Sequence, residues 1–169
     1  MEAMEQARSL LIARRYKEAA ALLDKLILAD GQDDGLWYLR GVASLKLKNY
    51  DAAMECFERA LLLDRRSAYY QIKGMAHFEL FEIDEALAAF TEALSIEDKN
   101  PTTHFFLSLC YLFLDDPKSD EHLKKALAID AKKTKQLLLN FYTLFIKDEP
   151  RVGAGVKKNI TERIRKLSG

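Results

Sequence analysis

Apolar residues recur at helical spacing along most of the chain, in segments that short polar breaks separate. The clearest example is the stretch 34–66, where a break at Lys48-Asn49 divides two apolar patterns of similar length. The first pattern contains Leu36, Trp37, Leu39, Val42 and Leu45, and the second contains Ala52, Ala53, Cys56, Phe57, Ala60 and Leu61. This arrangement predicts two helices that face each other as a hairpin.

Small residues lie where these two helices must touch. A glycine inside a helix destabilises it by about 1 kcal/mol relative to alanine, so Gly41 predicts a close approach of the two backbones. Ala53 allows the same approach from the second helix. Trp37, Tyr50 and Phe57 are the large side chains that can fill the surrounding space.

The hairpin pattern repeats with a period of 33 or 34 residues. The small residue of the second helix recurs at Ala19, Ala53 and Ala86, and the acid that closes that helix recurs at Asp30, Asp64, Glu97 and Asp130. A further position repeats as Leu26, Ala60, Ala93 and Ala126. A period of this length, with one helical hairpin in each unit, indicates a solenoid.

The repeat resembles the tetratricopeptide repeat family, whose signature has Trp, Leu-Gly and Tyr in the first helix, then Ala, Phe and a late Pro. The second unit matches it at Trp37, Gly41, Ala53, Phe57 and the further small residue Ala60, and the third at Tyr70, Gly74, Ala86, Phe90 and Ala93. The second unit departs from it at Arg40, Ser44 and Arg65. The resemblance covers residues 1–131.

The resemblance implies an all-α fold, a right-handed α-solenoid superhelix of helix-turn-helix hairpins with C-terminal capping helices. We expect repeats at 1–33, 34–66 and 67–100, a degenerate repeat at 101–131 with Ser119 where the other units have Ala, and a C-terminal segment at 132–169, all in one domain. Asp33 or Asp34, and then Ser67, are the predicted N-caps of the first helices in the second and third repeats.

Two helices are predicted after the repeats. The helix from Lys132 to Lys147 is apolar on several sides, so it either continues the stack as a half-repeat or folds into the groove. The helix from Val156 to Leu167 is basic and carries one apolar stripe, which is typical of a capping helix at the end of a solenoid.

Charge is divided unevenly along the chain, although 26 basic and 26 acidic residues cancel overall. Residues 131–169 hold ten basic and three acidic residues, a net charge of +7, which leaves −7 for residues 1–130. The ordinary interpretation is a solvated basic end. Cys56 and Cys110 lie among apolar neighbours, as buried thiols do in a reducing compartment, and no signal-peptide pattern or segment of membrane-spanning length occurs. We therefore expect a soluble cytoplasmic protein.

The sequence contains no motif for catalysis, phosphate binding or metal binding. His77, His104 and His122 lack Cys or acidic partners at metal-ligand spacing, and the glycines are scattered rather than grouped in a phosphate-binding loop. We expect no enzymatic activity, no cofactor and no metal.

The resemblance implies a binding groove on the concave side, which the first helix of each hairpin lines. The positions predicted to face this groove are Met4, Arg8 and Ile12, then Tyr38, Val42 and Lys46, then Gln71, Met75 and Glu79, and finally Phe105, Leu109 and Phe113. For the last three, the alternative is that the apolar helix 132–147 covers them.

The expected function is that of a non-enzymatic scaffold or adaptor, co-chaperone-like in type, that binds an apolar or amphipathic peptide or helix of a protein partner. The Lys and Asn clamp with which some family members hold a terminal carboxylate has no counterpart here. Two alternatives are self-assembly, in which the C-terminal helix of one copy enters the groove of another, and attachment of the basic C-terminal helix to an anionic surface. No nucleic-acid partner and no membrane span are expected.

Overall fold

The computed structural model describes residues 2–168, and every regular element within them is helical, which confirms the predicted all-α fold. The first six helices are α1 Glu2–Ile12, α2 Tyr16–Ala29, α3 Asp34–Lys46, α4 Tyr50–Leu63, α5 Ser67–Leu80 and α6 Ile83–Ile96. The others are α7 Pro101–Phe113, α8 Lys118–Ile129, α9 Ala131–Phe141, which continues as a π-helical segment Tyr142–Ile146, and α10 Ala154–Ser168. Met1 and Gly169, the outer ends of the first and last predicted segments, lie outside the described residues.

The helices form two compact units that divide between Ile96 and Glu97. Unit 1 contains α1 to α6 and unit 2 contains α7 to α10. The predicted repeat boundaries, and their combination in one domain, stay predictions.

Unit 1 is a stack of three helical hairpins. The pairs α1–α2, α3–α4 and α5–α6 each pack together, and α2 with α3 and α4 with α5 join one hairpin to the next. Its core includes a first buried cluster, built from Ala7, Ala19, Leu23, Leu36 and Leu39, and a second, built from Leu45, Ala53, Phe57 and Ala76. The second cluster combines side chains from three consecutive helices, so each hairpin is stabilised by its neighbour.

A glycine in the first helix of the second and third hairpins lies against a phenylalanine of the second helix. A Cβ atom added to Gly41 would lie 2.6 Å from Phe57 Cδ1, and one added to Gly74 would lie 2.8 Å from Phe90 Cε1. Both phenylalanine rings are fully buried. The close approach predicted at Gly41 is therefore confirmed, and the ring of the partner helix occupies the space that a side chain would need.

The other two hairpins fill the corresponding positions with a different size pair. Ala7 and Leu23 occupy them in the first hairpin, and Ser108 and Leu123 occupy them in the α7–α8 hairpin, with all four residues buried. A phenylalanine thus accompanies a glycine, and a leucine accompanies a residue that carries a Cβ. This matching of sizes keeps the hairpin interiors filled at the close-packed density of protein cores.

Each hairpin turn places one residue other than glycine in the left-handed conformation. These residues are Arg14, Lys48, Phe81 and Asp115, with φ angles of 58°, 62°, 63° and 55°. In the first turn Arg15 N–H donates to the Leu10 carbonyl at 2.9 Å, and Arg14 N–H donates to the Leu11 carbonyl at 3.0 Å. The same pair of bonds recurs in the other three turns and completes a Schellman motif at each helix end.

One of the predicted helix starts is confirmed and one is wrong. Asp33 caps α3, since its carboxylate accepts from Gly35 N–H at 2.8 Å and from Leu36 N–H at 3.3 Å. Ser67 is already the first residue of α5, with Arg66 in the cap position. Among the described residues, the buried Ser67 hydroxyl has no hydrogen-bond partner. The shorter connection between α4 and α5 moves the start of the helix forward by one residue.

Unit 2 begins with the most buried helix of the chain. Residues 103–110 of α7 are all buried, and α9 packs on both α7 and α8. The apolar helix therefore packs on the α7–α8 hairpin within unit 2. Ser119, at the position of the repeat alanine, donates to the Ser108 carbonyl at 2.8 Å, so a hydrogen bond joins α8 to α7 at their close contact.

The last helix, α10, turns its apolar stripe into unit 2. Ile160 is fully buried, and Arg163 forms an ion pair with Asp120 of α8 at 2.8 Å. α10 also packs on α9 and on the π-helical segment. Lys158, Arg165 and Lys166 of this helix are exposed, whereas Ile160, at the centre of the apolar stripe that would enter a lipid surface, is already used in packing.

We predict that the size pair Gly41–Phe57 is energetically coupled. Gly41→Ala should destabilise the protein by about 1–3 kcal/mol through overlap with the ring, and Phe57→Leu by about 1–2 kcal/mol through lost packing. The double variant should lose less than the sum by about 1 kcal/mol, because it recreates the pair that Ala7 and Leu23 form naturally. Urea unfolding of the four proteins measures this coupling, and strictly additive losses would contradict it.

We also predict that Arg14→Gly stabilises the protein by a few tenths to about 1 kcal/mol. A left-handed residue with a Cβ costs roughly 1–2 kcal/mol, and glycine removes that cost while it increases the entropy of the unfolded chain. Arg14→Ala is the matched control, since it deletes the same side chain and keeps the Cβ. If thermal melts show glycine no more stable than alanine at this position, the strain argument fails.

Candidate functional site

The predicted inner positions of α1 and α3 differ in exposure. Met4 is half-buried and packs against the first core cluster, whereas Arg8 and Ile12 are exposed. Ile12 is 84% exposed, which is unusual for an isoleucine at the end of a packed helix. On α3, Val42 is half-buried and Lys46 is exposed.

Tyr38, the first predicted position on α3, belongs to an aromatic pair. Its ring stacks on the ring of Tyr69 from α5, with centroids 4.8 Å apart and planes inclined by 25°. Burial raises the pKa of the Tyr38 phenol above its ordinary value of 10.0, so the group stays neutral. Tyr69 is buried, with 3% of its surface exposed, so the stack holds the half-buried Tyr38 ring in place and leaves Tyr38 as the member of the pair that a ligand can reach.

A charged network that the sequence did not reveal fixes the second ring of this pair. The Tyr69 hydroxyl donates to the Asp34 carboxylate, and Arg66 forms an ion pair with Asp34 at 3.2 Å. Burial, followed by the hydrogen bond to Asp34, raises the pKa of Tyr69 well above its usual range. The spacing of 35 residues between Tyr69 and Asp34 gives no local signal, so only the stacked repeat brings them together.

The predicted positions on α5 are all partly covered. Gln71 and Met75 are half-buried. The Glu79 carboxylate accepts from Lys48 Nζ at 2.6 Å and from the Tyr50 hydroxyl at 3.1 Å, so it ties α5 to the preceding hairpin. Because Lys48 and Tyr50 belong to the second hairpin and Glu79 to the third, these bonds contribute to the stability of unit 1. Glu79 is also one of the predicted groove positions.

In unit 2 the predicted groove positions on α7 are buried or half-buried. Phe105 and Leu109 are almost completely buried, and the Phe105 ring lies 6.1 Å from the Phe141 ring of α9 in an edge-to-face arrangement. Phe113 is half-buried. The sequence analysis left open that the apolar helix covers these positions. The contact between Phe105 and Phe141 of α9 agrees with that alternative. Within this arrangement, Phe105 and Leu109 offer no surface to a partner.

A histidine pair joins α7 to α8 in unit 2. His104 Nδ1 lies 3.0 Å from His122 Nδ1, and His104 Nε2 lies 3.0 Å from the Asp98 carbonyl. Because a carbonyl can only accept, His104 Nε2 carries a proton, so in the neutral pair His122 Nδ1–H donates to His104 Nδ1. The two residues are 18 positions apart, and no local pattern in the sequence predicts that they pair.

The surroundings of this pair favour the neutral imidazoles. Burial lowers the pKa of both histidines below their ordinary value of 6.5, and His104 itself lowers that of His122. The Tyr111 ring stacks on His122 with centroids 5.3 Å apart. The nearby charges come from Asp98, Lys118, Glu121 and Lys125, and the lysines oppose protonation while the acidic groups favour it.

The other chemically reactive groups are isolated. Burial raises the pKa of the Cys56 thiol to about 11 and that of the Cys110 thiol to about 12, so neither is a ready nucleophile. Across residues 2–168, no cluster of three or more His, Cys, Asp or Glu side chains has the geometry of a metal site. Nor does any described helix combine the length and apolar character that crossing a membrane requires. The cytoplasmic location stays a prediction.

Comparison with known proteins identifies repeats in the middle of the chain. The family described as the tetratricopeptide repeat matches residues 36–67 and again 67–100. A TPR repeat-containing protein of Methanocaldococcus jannaschii is 24% identical over 152 residues, which are 88% of this chain and 27% of that protein. The Hsp70/Hsp90 co-chaperone CNS1 of Saccharomyces cerevisiae is 27% identical over 147 residues, 83% of this chain and 38% of its own. The chain therefore spans less than half the length of each of these relatives.

Solved structures show the same helical architecture. A thermophilic TPR protein of Thermus thermophilus superposes with a TM-score of 0.71 at 18% identity and covers 99% of this chain and 97% of its own. The second TPR domain of human RPAP3, solved in complex with an HSP70 peptide, has a TM-score of 0.60 at 27% identity and covers 64% of this chain and 91% of its own.

Acidification should destabilise the protein through the histidine pair. The folded pKa of each imidazole is below the ordinary value of 6.5, so the unfolded chain binds more protons as the pH falls through this region. The contribution is complete above about pH 6.5 and is lost progressively below it. Urea midpoints measured from about pH 8 to about pH 5 should therefore fall with pH, in a range where carboxylates barely titrate.

The variant His122→Phe keeps the stack on Tyr111 and removes one of the two titrating groups. It should reduce the dependence of the urea midpoint on pH, although it is less stable than the wild type at neutral pH. His77→Gln, in unit 1, is the control and should leave the contribution of the pair intact. An unchanged pH dependence in His122→Phe would show that the pair does not sense protons.

Proposed function

Because the chain belongs to the tetratricopeptide repeat family, we propose that it binds an apolar or amphipathic segment of a partner protein on the inner face of unit 1. The family consists of protein-interaction scaffolds rather than enzymes, and the chain shares this general function. We propose in addition that α1, α3 and α5 carry the binding face. The observation that carries it is the rigid stack of Tyr38 on Tyr69 between α3 and α5.

The chemistry of this face suits an apolar ligand segment. The half-buried Tyr38 ring is held against the buried Tyr69 ring, and a tyrosine held in this way loses little conformational entropy on binding. Met75 on α5 is a flexible apolar side chain that can adapt to different ligand shapes. Ile12 at the end of α1 adds an exposed apolar group on the neighbouring helix.

Two of the compared proteins support a peptide as the ligand. The RPAP3 domain is solved with an HSP70 peptide, and CNS1 is an Hsp70/Hsp90 co-chaperone. By analogy this chain is a co-chaperone-like adaptor. Its own inner positions, however, include Met4, Val42 and Met75 rather than a set of Lys and Asn. We therefore propose recognition of apolar side chains instead of a terminal carboxylate.

The proposal leaves the covered part of the predicted groove out of the binding face. Phe105 packs against Phe141 of α9 and Leu109 is buried, so the proposed face lies within unit 1 alone. Self-association through the groove stays a prediction. Attachment of α10 to an anionic surface would depend on the positive charge of this helix alone, because Ile160 of its apolar stripe is buried.

We predict that an acidic group placed on the inner face of unit 1 weakens peptide binding. A displayed peptide library selected on the full chain supplies ligands, and fluorescence anisotropy measures their affinity. Tyr38→Glu and Met75→Glu should each weaken binding by about tenfold or more, since truncating a central apolar contact typically costs 1–2 kcal/mol or more.

Leu28→Glu is the matched control, because Leu28 is 87% exposed on α2 and lies outside the predicted face. It should leave the affinity unchanged, and circular dichroism should show all three variants folded. Selected peptides that bind Tyr38→Glu and Met75→Glu as tightly as the wild type would remove the inner face as the site.

A further inference from the structure

A groove between α9 and the C-terminal part of α10 remains open in unit 2. Its volume is about 280 Å³, and its apolar lining comes from Leu138, Leu139, Ile164 and Leu167. Lys132 and Lys135 of α9 line it as well. The volume lies below the usual range of roughly 300–1,000 Å³ for small-molecule sites, so the groove suits a few apolar side chains better than a cofactor.

Large apolar side chains are exposed along the helix that forms one wall of this groove. Leu139 is 48% exposed, and in the π-helical segment that follows Leu144 is 72% and Phe145 is 47% exposed. Single exposed apolar residues are common, but several on one segment beside an apolar groove are typical of an interaction surface. These side chains lie outside the proposed peptide-binding face, which belongs to unit 1.

The lysines beside the groove lack an anionic partner among the described residues. Lys132 and Lys135 are exposed, and neither forms an ion pair with any residue between 2 and 168. The acid that begins α9, Asp130, caps the helix by accepting from Lys133 N–H at 2.9 Å. An anionic group bound beside the groove would pair with the two lysines. The surrounding sequence strengthens the effect, since residues 131–169 carry a net charge of +7.

We propose that this groove docks an acidic amphipathic helix of a partner protein. The apolar face of that helix would place leucine-sized side chains over Leu139 and Ile164. Its Asp or Glu side chains would pair with Lys132 and Lys135. Both properties follow from the lining of the groove, because an apolar floor beside unpaired cations selects a ligand with apolar and anionic groups on adjacent faces.

The contact is distinct from the proposed function, since the two surfaces lie in different units of the chain. The Tyr38→Glu variant therefore separates them. It should lose the peptides selected for unit 1 and should keep binding at the α9–α10 groove.

The experiment uses the full chain and two fluorescent probe peptides of equal length. Both peptides are amphipathic helices with leucine on one face, and the opposite face carries glutamate in one and lysine in the other. Anisotropy should show that the glutamate peptide binds with an affinity that falls as salt is added, and that the lysine peptide binds at least about tenfold more weakly. Failure of the glutamate peptide to bind would overturn the proposal.

Charge reversal in the groove tests which residues are responsible. Lys132→Glu combined with Lys135→Glu should weaken binding of the glutamate peptide by about tenfold and improve binding of the lysine peptide. The matched control, Lys124→Glu combined with Lys158→Glu, makes the same change in net charge at exposed positions that do not line the groove, and should keep the affinity close to that of the wild type. Equal loss in both double variants would show a dependence on net charge alone and would refute the site.

The apolar part of the groove has its own test. Leu139→Glu should abolish binding of the glutamate peptide, whereas Leu28→Glu on unit 1 should have no effect. Two other results would overturn the choice of occupant. One is that the wild-type chain sediments with phosphatidylserine vesicles, that Leu139→Glu abolishes this sedimentation, and that the glutamate peptide does not bind. The other is self-association, seen by light scattering, that Leu139→Glu abolishes, since the occupant would then be a second copy of the chain.

Discussion

The contact between a small residue on one helix and a large one on its partner is the constraint on which the hairpins depend. In the second and third hairpins the large residue is a phenylalanine that lies in the space above a glycine, Gly41 or Gly74. Because the ring needs that space, the two helices can approach in only one register. The next hairpin then packs on a surface whose shape is already determined, and the same arrangement is transmitted along the stack.

This register also decides what the inner face can present. The ring of Tyr38 meets Tyr69 because α3 and α5 lie side by side, and Asp34 then holds the Tyr69 hydroxyl. In unit 2 the same kind of stacking has the opposite result, since α9 covers the corresponding side chains of α7. The ring of Tyr38 therefore remains partly exposed in unit 1, whereas in unit 2 Phe105 and Phe106 of α7 belong to the core.

Local periodicity explains which features the sequence could predict. The helices, the turns and the close contact at Gly41 all depend on residues that lie within one repeat, so their spacing identifies them. The pairing of His104 with His122, and the hydrogen bond that joins Tyr69 to Asp34, depend on side-chain directions after folding. The cap at α5 was missed for a related reason. A connection shortened by one residue placed Ser67 inside the helix, which spacing alone does not reveal.

The π-helical segment changes which side of its helix faces inward. Lys147 N–H donates to the Tyr142 carbonyl five residues earlier, so one more residue fits into the turn than a regular α-helix holds. A regular helix would bring residue 145, seven after the buried Leu138, to the inside. The additional residue brings Ile146 there instead, at 1% exposure, and turns Phe145 outward. Removal of one residue between 142 and 145 would leave Ile146 seven positions after Leu138, so a regular α-helix would then keep Ile146 inside without the wide turn.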